Sequence, residues 1–249
     1  MYENYQKDRI GIIKKVLQAL NDNFVLKGGT ALSLYYGLNR YSEDIDLDAK
    51  NNNMDITKLL KSNKNFRDCN ITIKKDTDTV FRAMLDYGGQ SHLGNYPLKI
   101  EVSNRNKIFL QQGSLTYTNI DGINVYNISE LIDMKIAAFN GRDKVRDLYD
   151  LNFLLNKYPE YFDHRQLWQI NERIAYCGTD ELNILLADEV KIHKLISNEN
   201  IDLNNFVQNF QARIEDTLND KRIEKQKEFI KNLSIKDKQI QNKETKRER

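Results

Sequence analysis

The densest collection of chemistry-bearing side chains lies in residues 27 to 48, Lys-Gly-Gly-Thr-Ala-Leu-Ser-Leu-Tyr-Tyr-Gly-Leu-Asn-Arg-Tyr-Ser-Glu-Asp-Ile-Asp-Leu-Asp. Gly28, Gly29 and Thr30 stand where a strand pattern gives way to a helical one. Such a turn offers backbone amides, a hydroxyl and a helix N-terminus, a combination suited to a phosphate, and the glycines let the backbone approach closely. Asp44 and Asp46 are two residues apart, so strand geometry turns both carboxylates to one face and sends Ile45 and Leu47 to the other. Neighbouring carboxylates repel unless a cation joins them. Mg²⁺ or Mn²⁺ is the expected ion, because hard cations take carboxylate and phosphate oxygens together. A third acid, Glu101 in Leu98-Lys-Ile-Glu-Val102, shares a side with Lys99 while Ile100 and Val102 point to the core. Glu101 either completes a metal centre or faces solvent; the alternation alone fits both.

These residues need a scaffold, and the first half of the chain supplies its pattern. Short runs rich in β-branched and aromatic residues predict strands over 24–27, 45–48, 70–74, 80–86, 98–102 and 123–126. Helical spacing occupies 9–20, 30–36 and 54–61, and the alternation predicts a mixed α/β fold. Near residue 127 the strand signals stop. Ser129 is placed to cap a helix through Phe139, with Asn140-Gly141 as its stop. The next helix carries Leu148, Leu151 and Leu155 on one face and Asp143, Asp147 and Asp150 on another. Helices are expected at 163–176, 179–196 and 203–219, the last with a stripe of Leu203, Phe206, Phe210, Ile214 and Leu218, which together predict a helical bundle. The lone Trp168 is expected in the bundle core. The chain therefore divides into 1–127, an α/β catalytic domain, and 128–249, a helical domain. Beyond about residue 234 apolar content drops, and a fraying helix or disordered, basic tail is expected.

Composition excludes other chemistry. Cys69 and Cys177 are too few for a disulfide framework, and His92, His164 and His193 are isolated, which leaves no catalytic triad and no structural zinc cluster. Apolar runs such as 136–139 and 184–187 fall far short of the roughly 20 residues of a membrane span. The N-terminal residues lack the features of a secretory signal, so a cytoplasmic setting is expected. The net charge of +2 conceals an asymmetry: residues 220–249 hold 11 Lys and Arg against 6 Asp and Glu, and the first 219 hold 27 against 30. The basic end suits either a solvated helix or an arm for RNA phosphates.

Taken together, the Gly-Gly-Thr turn, the Asp-x-Asp strand and the later strand acid resemble the DNA polymerase β nucleotidyltransferase superfamily. The wording Gly28-Gly-Thr-Ala-Leu, then Gly37, Arg40, Ser42 and Asp44-Ile-Asp46-Leu, is similar to the AbiEii/AbiGii-type abortive-infection toxins. Lys99-x-Glu101, Lys135 in Glu130-Leu-Ile-Asp-Met-Lys-Ile-Ala-Ala, and Arg146-Asp147-Leu-Tyr-Asp150-Leu extend the likeness, which covers about residues 24 to 155. The gap between Thr30 and Asp44 exceeds that of shorter bacterial nucleotidyltransferases, and Thr30 replaces the commoner Ser.

The resemblance implies that Gly28, Gly29 and Thr30 hold a triphosphate and that Asp44, Asp46 and Glu101 ligate the metal. Lys135 would contact phosphate, and Arg40, Ser42, Lys99 and Arg146 join the nucleotide-binding set. Asp147 and Asp150 belong to the family's last motif; the sequence alone reads them equally as surface ion pairs with Arg146, worth about 0.2–0.5 kcal/mol each. The implied activity is metal-dependent transfer of NMP from an NTP to an acceptor hydroxyl, with a tRNA 3′ end as the expected acceptor and a cognate antitoxin as the expected partner. GTP binding without transfer and metal-dependent nuclease action are the alternatives, although many nucleases of that kind carry Glu-x-Lys rather than Lys99-x-Glu101.

Overall fold

Alternating apolar residues in the first 127 positions assemble one seven-stranded sheet. The computed structural model describes residues 3–142, 144–193, 196 and 201–244, with the side chains of 192, 193 and 228–244 outside the description. Helix α1 (Asn4–Ala19) precedes β1 (Phe24–Lys27), which runs directly into α2 (Gly28–Tyr35), and β2 (Ile45–Ala49) follows. After α3 (Thr57–Ser62) come β3 (Asn70–Asp76), β4 (Val80–Asp86), a small hairpin of β5 (Gln90–Ser91) and β6 (Gly94–Asn95), and β7 (Leu98–Ser103). Helix α4 (Lys107–Gln111), β8 (Tyr117–Ile120) and β9 (Ile123–Tyr126) complete this part. The sheet order is β3-β4-β7-β2-β1-β9-β8, with β2–β7 and β1–β9 parallel and the other pairs antiparallel.

This order makes β2 a central strand with Ile45, Leu47 and Ala49 fully buried. The opposite face of β2 carries the acids. In register, Lys27 of β1 stands beside Asp46, Asp46 beside Glu101 of β7, and Glu101 beside Arg82 of β4. Directly opposed residues share a sheet face, so a row of four charged side chains crosses four adjacent strands.

From residue 128 onward the described residues are helical or irregular. Helices α5 (Ile128–Gly141), α6 (Val145–Lys157), α7 (His164–Cys177), α8 (Thr179–Asp188) and α9 (Phe206–Glu244) pack on one another, and α5 also touches α2. The buried apolar cluster is continuous from Ile13 through the sheet to Ile214, so the core does not stop where the strands do. The result is a mixed sheet with flanking helices followed by a helical region. No helix among the described residues is long and apolar enough to cross a membrane.

The six expected strands form, but four elements were not anticipated: β8, the β5–β6 hairpin and α4. Strand β8 had a readable signal, since Asp121 and Gly122 both adopt positive φ (51° and 84°) in a two-residue turn of the kind Asp-Gly favours. The cap of α5 is Asn127 rather than Ser129. Trp168 is 53% exposed and not in the core, because Leu167, Ile170 and Ile174 form the buried stripe of α7 and residue 168 lies off it. The helix expected over 179–196 passes into a π-helical turn at Glu189–His193, and 194–195 lie outside the described residues. The helix expected over 203–219 begins at Phe206 and continues to Glu244, with Phe206, Phe210 and Ile214 buried and Leu203 and Leu218 packed against the core edge. The backbone of 234–244 is helical, while Asp143 and 245–249 lie outside the described residues.

Candidate active site

The site begins where β1 becomes α2 without a linker. Gly28 has φ 73°, a conformation that favours glycine, and a Cβ there would stand 3.0 Å from Asp46 Oδ2. A Cβ at Gly29 would lie 2.6 Å from Arg40 Nη2 and 2.9 Å from Ser42 Oγ. Both positions therefore keep backbone close to charged side chains while the first amides of α2 have no intrahelical partner. Thr30 is buried; its hydroxyl donates to the Asp44 carbonyl and lies 2.9 Å from Ser42 Oγ. Thr30 thus ties the turn to the start of β2 and does not line the cavity beside it.

That cavity, about 260 Å³, is polar. Four carboxylates line it: Glu43, Asp44, Asp46 and Glu101. Arg40, Arg82, Lys99, Lys135, Arg142 and Arg146 supply six cations, two more than the acids. Asp147 and Asp150, buried behind Arg40, Lys135 and Arg142, bring the described carboxylates to six against six cations, so an anion would be held by the individual cations of the cavity wall and not by a net charge excess. Asp44 pairs with Lys99 Nζ at 2.5 Å, and Glu101 with Arg82 at 2.6 Å. Burial raises the Asp44 carboxyl above the usual carboxylate range, although the hydrogen bond and charge of Lys99 pull it down.

Beneath the cavity floor runs a buried ionic network that joins residues distant in sequence. Asp150 accepts two hydrogen bonds from Arg40, from Nε at 2.5 Å and from Nη2 at 2.7 Å, and pairs with Lys135 Nζ at 2.6 Å. Asp147 accepts from Lys135 at 2.9 Å and from Arg142 Nε at 2.7 Å. Asp147 and Asp150 are fully buried, Arg40 and Lys135 nearly so. Burial alone would raise the Asp150 carboxyl, but the charges and hydrogen bonds of Arg40 and Lys135 outweigh it and hold it below the usual range. Asp147 is lowered by the same balance with Lys135 and Arg142. Asp147 and Asp150 are therefore not an exposed surface pair; they hold Arg40 and Lys135 at the cavity from α6.

Three cavity residues escaped the sequence reading: Glu43, Arg82 and Arg142. Arg82 could have been found from the strand register, since it neighbours Glu101; Glu43 and Arg142 carry no local signal. A fourth residue acts from outside. Arg9 of α1 is buried, donates to the carbonyls of Glu43 (2.7 Å), Tyr96 (2.7 Å) and Pro97 (3.1 Å), and lies 3.8 Å from the Tyr96 ring centroid. Tyr96 in turn donates to Glu43 Oε2 at 2.5 Å. This clamp fixes the backbone entering β2 against the start of β7.

The fit to a divalent cation can be judged from the donors. Asp46 has no hydrogen bond or ion pair among the described residues, stands beside Glu101 and presents hard oxygen donors. As the side chains stand, no three His, Cys, Asp or Glu among the described residues converge closely enough to hold a metal. The donor chemistry fits Mg²⁺ at Asp46, and Lys99 and Arg82 hold only Oδ2 of Asp44 and Oε2 of Glu101, which leaves one oxygen of each carboxylate for a cation.

Comparison with known proteins identifies a family and two similar structures. The family described as "Nucleotidyl transferase AbiEii toxin, Type IV TA system" matches residues 12–240. The crystal structure of JHP933 from Helicobacter pylori is 29% identical, with a TM-score of 0.74 over 94% of this chain and 100% of that one. A second H. pylori protein, provisionally described as a nucleotidyltransferase, is 30% identical, with a TM-score of 0.72 over 90% of this chain and 98% of its own. Among curated proteins no match is found.

Proposed function

Because the chain belongs to the AbiEii nucleotidyl transferase toxin family, we propose that its cavity transfers a nucleoside monophosphate from an NTP to an acceptor hydroxyl, with the 3′ end of a tRNA as acceptor. The observation that carries this reading is the charged row Lys27, Asp46, Glu101 and Arg82 across four strands, set beside the Gly28-Gly29 turn. Carboxylates next to a backbone phosphate cradle suit a reaction in which positioning and charge neutralisation do most of the work.

In this reading the Gly28 and Gly29 amides and Lys135 take the triphosphate, with Arg142 and Arg146 at the cavity rim. Asp46, joined by Asp44 and Glu101, would hold Mg²⁺ or Mn²⁺. Such an ion, when bound, acidifies the acceptor hydroxyl and neutralises the leaving pyrophosphate. The protein's own part is to aim Lys135, which Asp147 and Asp150 do by ion pairing, and to hold the turn against β2, which Arg9 and Thr30 do by hydrogen bonds. A cognate antitoxin is the proposed partner, since the family belongs to toxin-antitoxin systems.

The test is to incubate the full chain with Mg²⁺, each NTP in turn and total tRNA, and to sequence the RNA 3′ ends. Ends lengthened by a nucleotide in the presence of one NTP are expected. Shortened ends would assign a nuclease instead, and bound NTP with unchanged ends would assign a nucleotide-binding subunit.

A further inference from the structure

Arg142 lines two cavities. On one side is the catalytic cavity; on the other is a groove of about 450 Å³ between the α5–α6 junction and helices α7 and α8. Among the described residues the groove has three cationic side chains, Arg142, Lys144 and Arg173, against one carboxylate, Glu181, and its apolar wall includes Leu185. Tyr176 stands at its edge, 83% exposed. The Arg173 guanidinium lies 5.4 Å from the Tyr176 ring centroid and its Nε donates to the Phe139 carbonyl at 3.2 Å, so a cation is fixed beside an open aromatic face.

An exposed aromatic ring flanked by cations is what a single-stranded nucleic acid uses: bases stack on the ring and phosphates meet the charges. Beyond its contact with Arg173, a tyrosine this exposed packs little in the isolated chain and presents a large apolar face to water. Arg142 is shared with the buried Asp147, and the described lining still sets Lys144 and Arg173 against the single carboxylate Glu181, which favours a polyanion over an acidic peptide, while continuity through Arg142 leads that polyanion to the neighbouring cavity. We propose that this groove binds the single-stranded 3′ end of the RNA acceptor, with Tyr176 as a base-stacking platform and Arg142, Lys144 and Arg173 on the phosphates. The inference rests on the transfer reading for the identity of the neighbouring cavity, but RNA binding can be measured without transfer.

The experiment is a fluorescence-anisotropy titration of a 5′-fluorescein single-stranded RNA of about a dozen nucleotides, a length within the usual footprint of such sites. Wild type, Tyr176→Ala and Tyr176→Phe are compared, and a fluorescent NTP analogue is titrated into the same three proteins. Tyr176→Ala should weaken RNA binding roughly 5- to 150-fold, the loss of one base stack, while Tyr176→Phe stays within about twofold because it keeps the π-face. NTP affinity should not change in either variant, which also reports that the fold is intact. RNA affinity unchanged in Tyr176→Ala, or no RNA binding by wild type, overturns the proposal. Loss of NTP rather than RNA affinity overturns it as well and gives the groove to the donor base. If RNA binding depends on Tyr176 and no acceptor is ever extended, the groove assignment stands and the transfer reading fails.

Discussion

Replacing Asp150 by Asn tests whether the buried network positions the cavity's cations. Asp150 receives both prongs of the Arg40 guanidinium and the Lys135 ammonium, and it is fully buried. The network holds Arg40, Lys135 and Arg142 against Asp147 and Asp150. Asn at position 150 leaves three cations facing one carboxylate, and the bidentate acceptor for Arg40 is gone. Removing one partner from a buried ion pair costs about 3–5 kcal/mol, because the remaining charge stays desolvated. At roughly 2–4 °C per kcal/mol for a chain of this size, Tm should fall by about 6–20 °C. Urea unfolding followed by circular dichroism would give the same loss as a shift in midpoint at constant slope. A double variant, Arg40→Met with Asp150→Leu, should recover much of the stability, since an apolar pair avoids the desolvation penalty. It should not recover activity, because Arg40 also packs against Gly29. A loss below about 1 kcal/mol for Asp150→Asn would mean that the pair behaves like a solvated one, and the positioning argument would be refuted.

Three further outcomes are expected. Gly29→Ala should destabilise by about 1–3 kcal/mol through overpacking against Arg40, which Asp150 prevents from yielding, and should reduce affinity in an NTP titration. Acid stability should reflect Asp147 and Asp150: both are lowered on folding, so their contribution is full above the unfolded carboxyl value of about 3.9 and disappears as pH falls through the folded values. Asp44 is raised and acts in the opposite sense, its contribution being lost as pH rises through its folded value, so Asp150→Asn should flatten the acid limb of a stability-versus-pH curve. Arg9→Met should cost at least about 2 kcal/mol, since it strips a charged donor from three carbonyls, and should lower kcat more than NTP affinity by loosening the backbone before Asp44.

Much of the scaffold was legible because strand and helix periods are local. Period-2 alternation placed Asp44, Asp46 and Glu101 on the face away from Ile45, Leu47, Ile100 and Val102; the structure sets Asp46 and Glu101 side by side in register, with Asp44 just before β2 at the same cavity. The same arithmetic also contains the answer for Trp168, which falls off the stripe set by Leu167, Ile170 and Ile174. What could not be read is long-range. Arg40 and Asp150 are 110 residues apart in sequence, and nothing local distinguishes a buried Asp150 from one on a helix surface. Arg9 looks like any polar residue of an amphipathic helix until the fold places Glu43, Tyr96 and Pro97 around it. Arg142, which joins the two cavities, lies in the turn between two helices and carries no pattern at all.

The most direct measurement of the central claim is transfer of label from an α-³²P NTP to RNA by wild type and by Asp46→Asn, with Mg²⁺ and matched circular dichroism spectra. Asp46 makes no ion pair or hydrogen bond with the described protein, so the isosteric change should leave the fold intact and remove a ligand the reaction needs. The account predicts labelled RNA from the wild type and a loss of at least about a hundredfold in Asp46→Asn, of the order of removing one group specific to the transition state. Label transferred equally by both proteins would contradict it and move the chemistry out of this cavity.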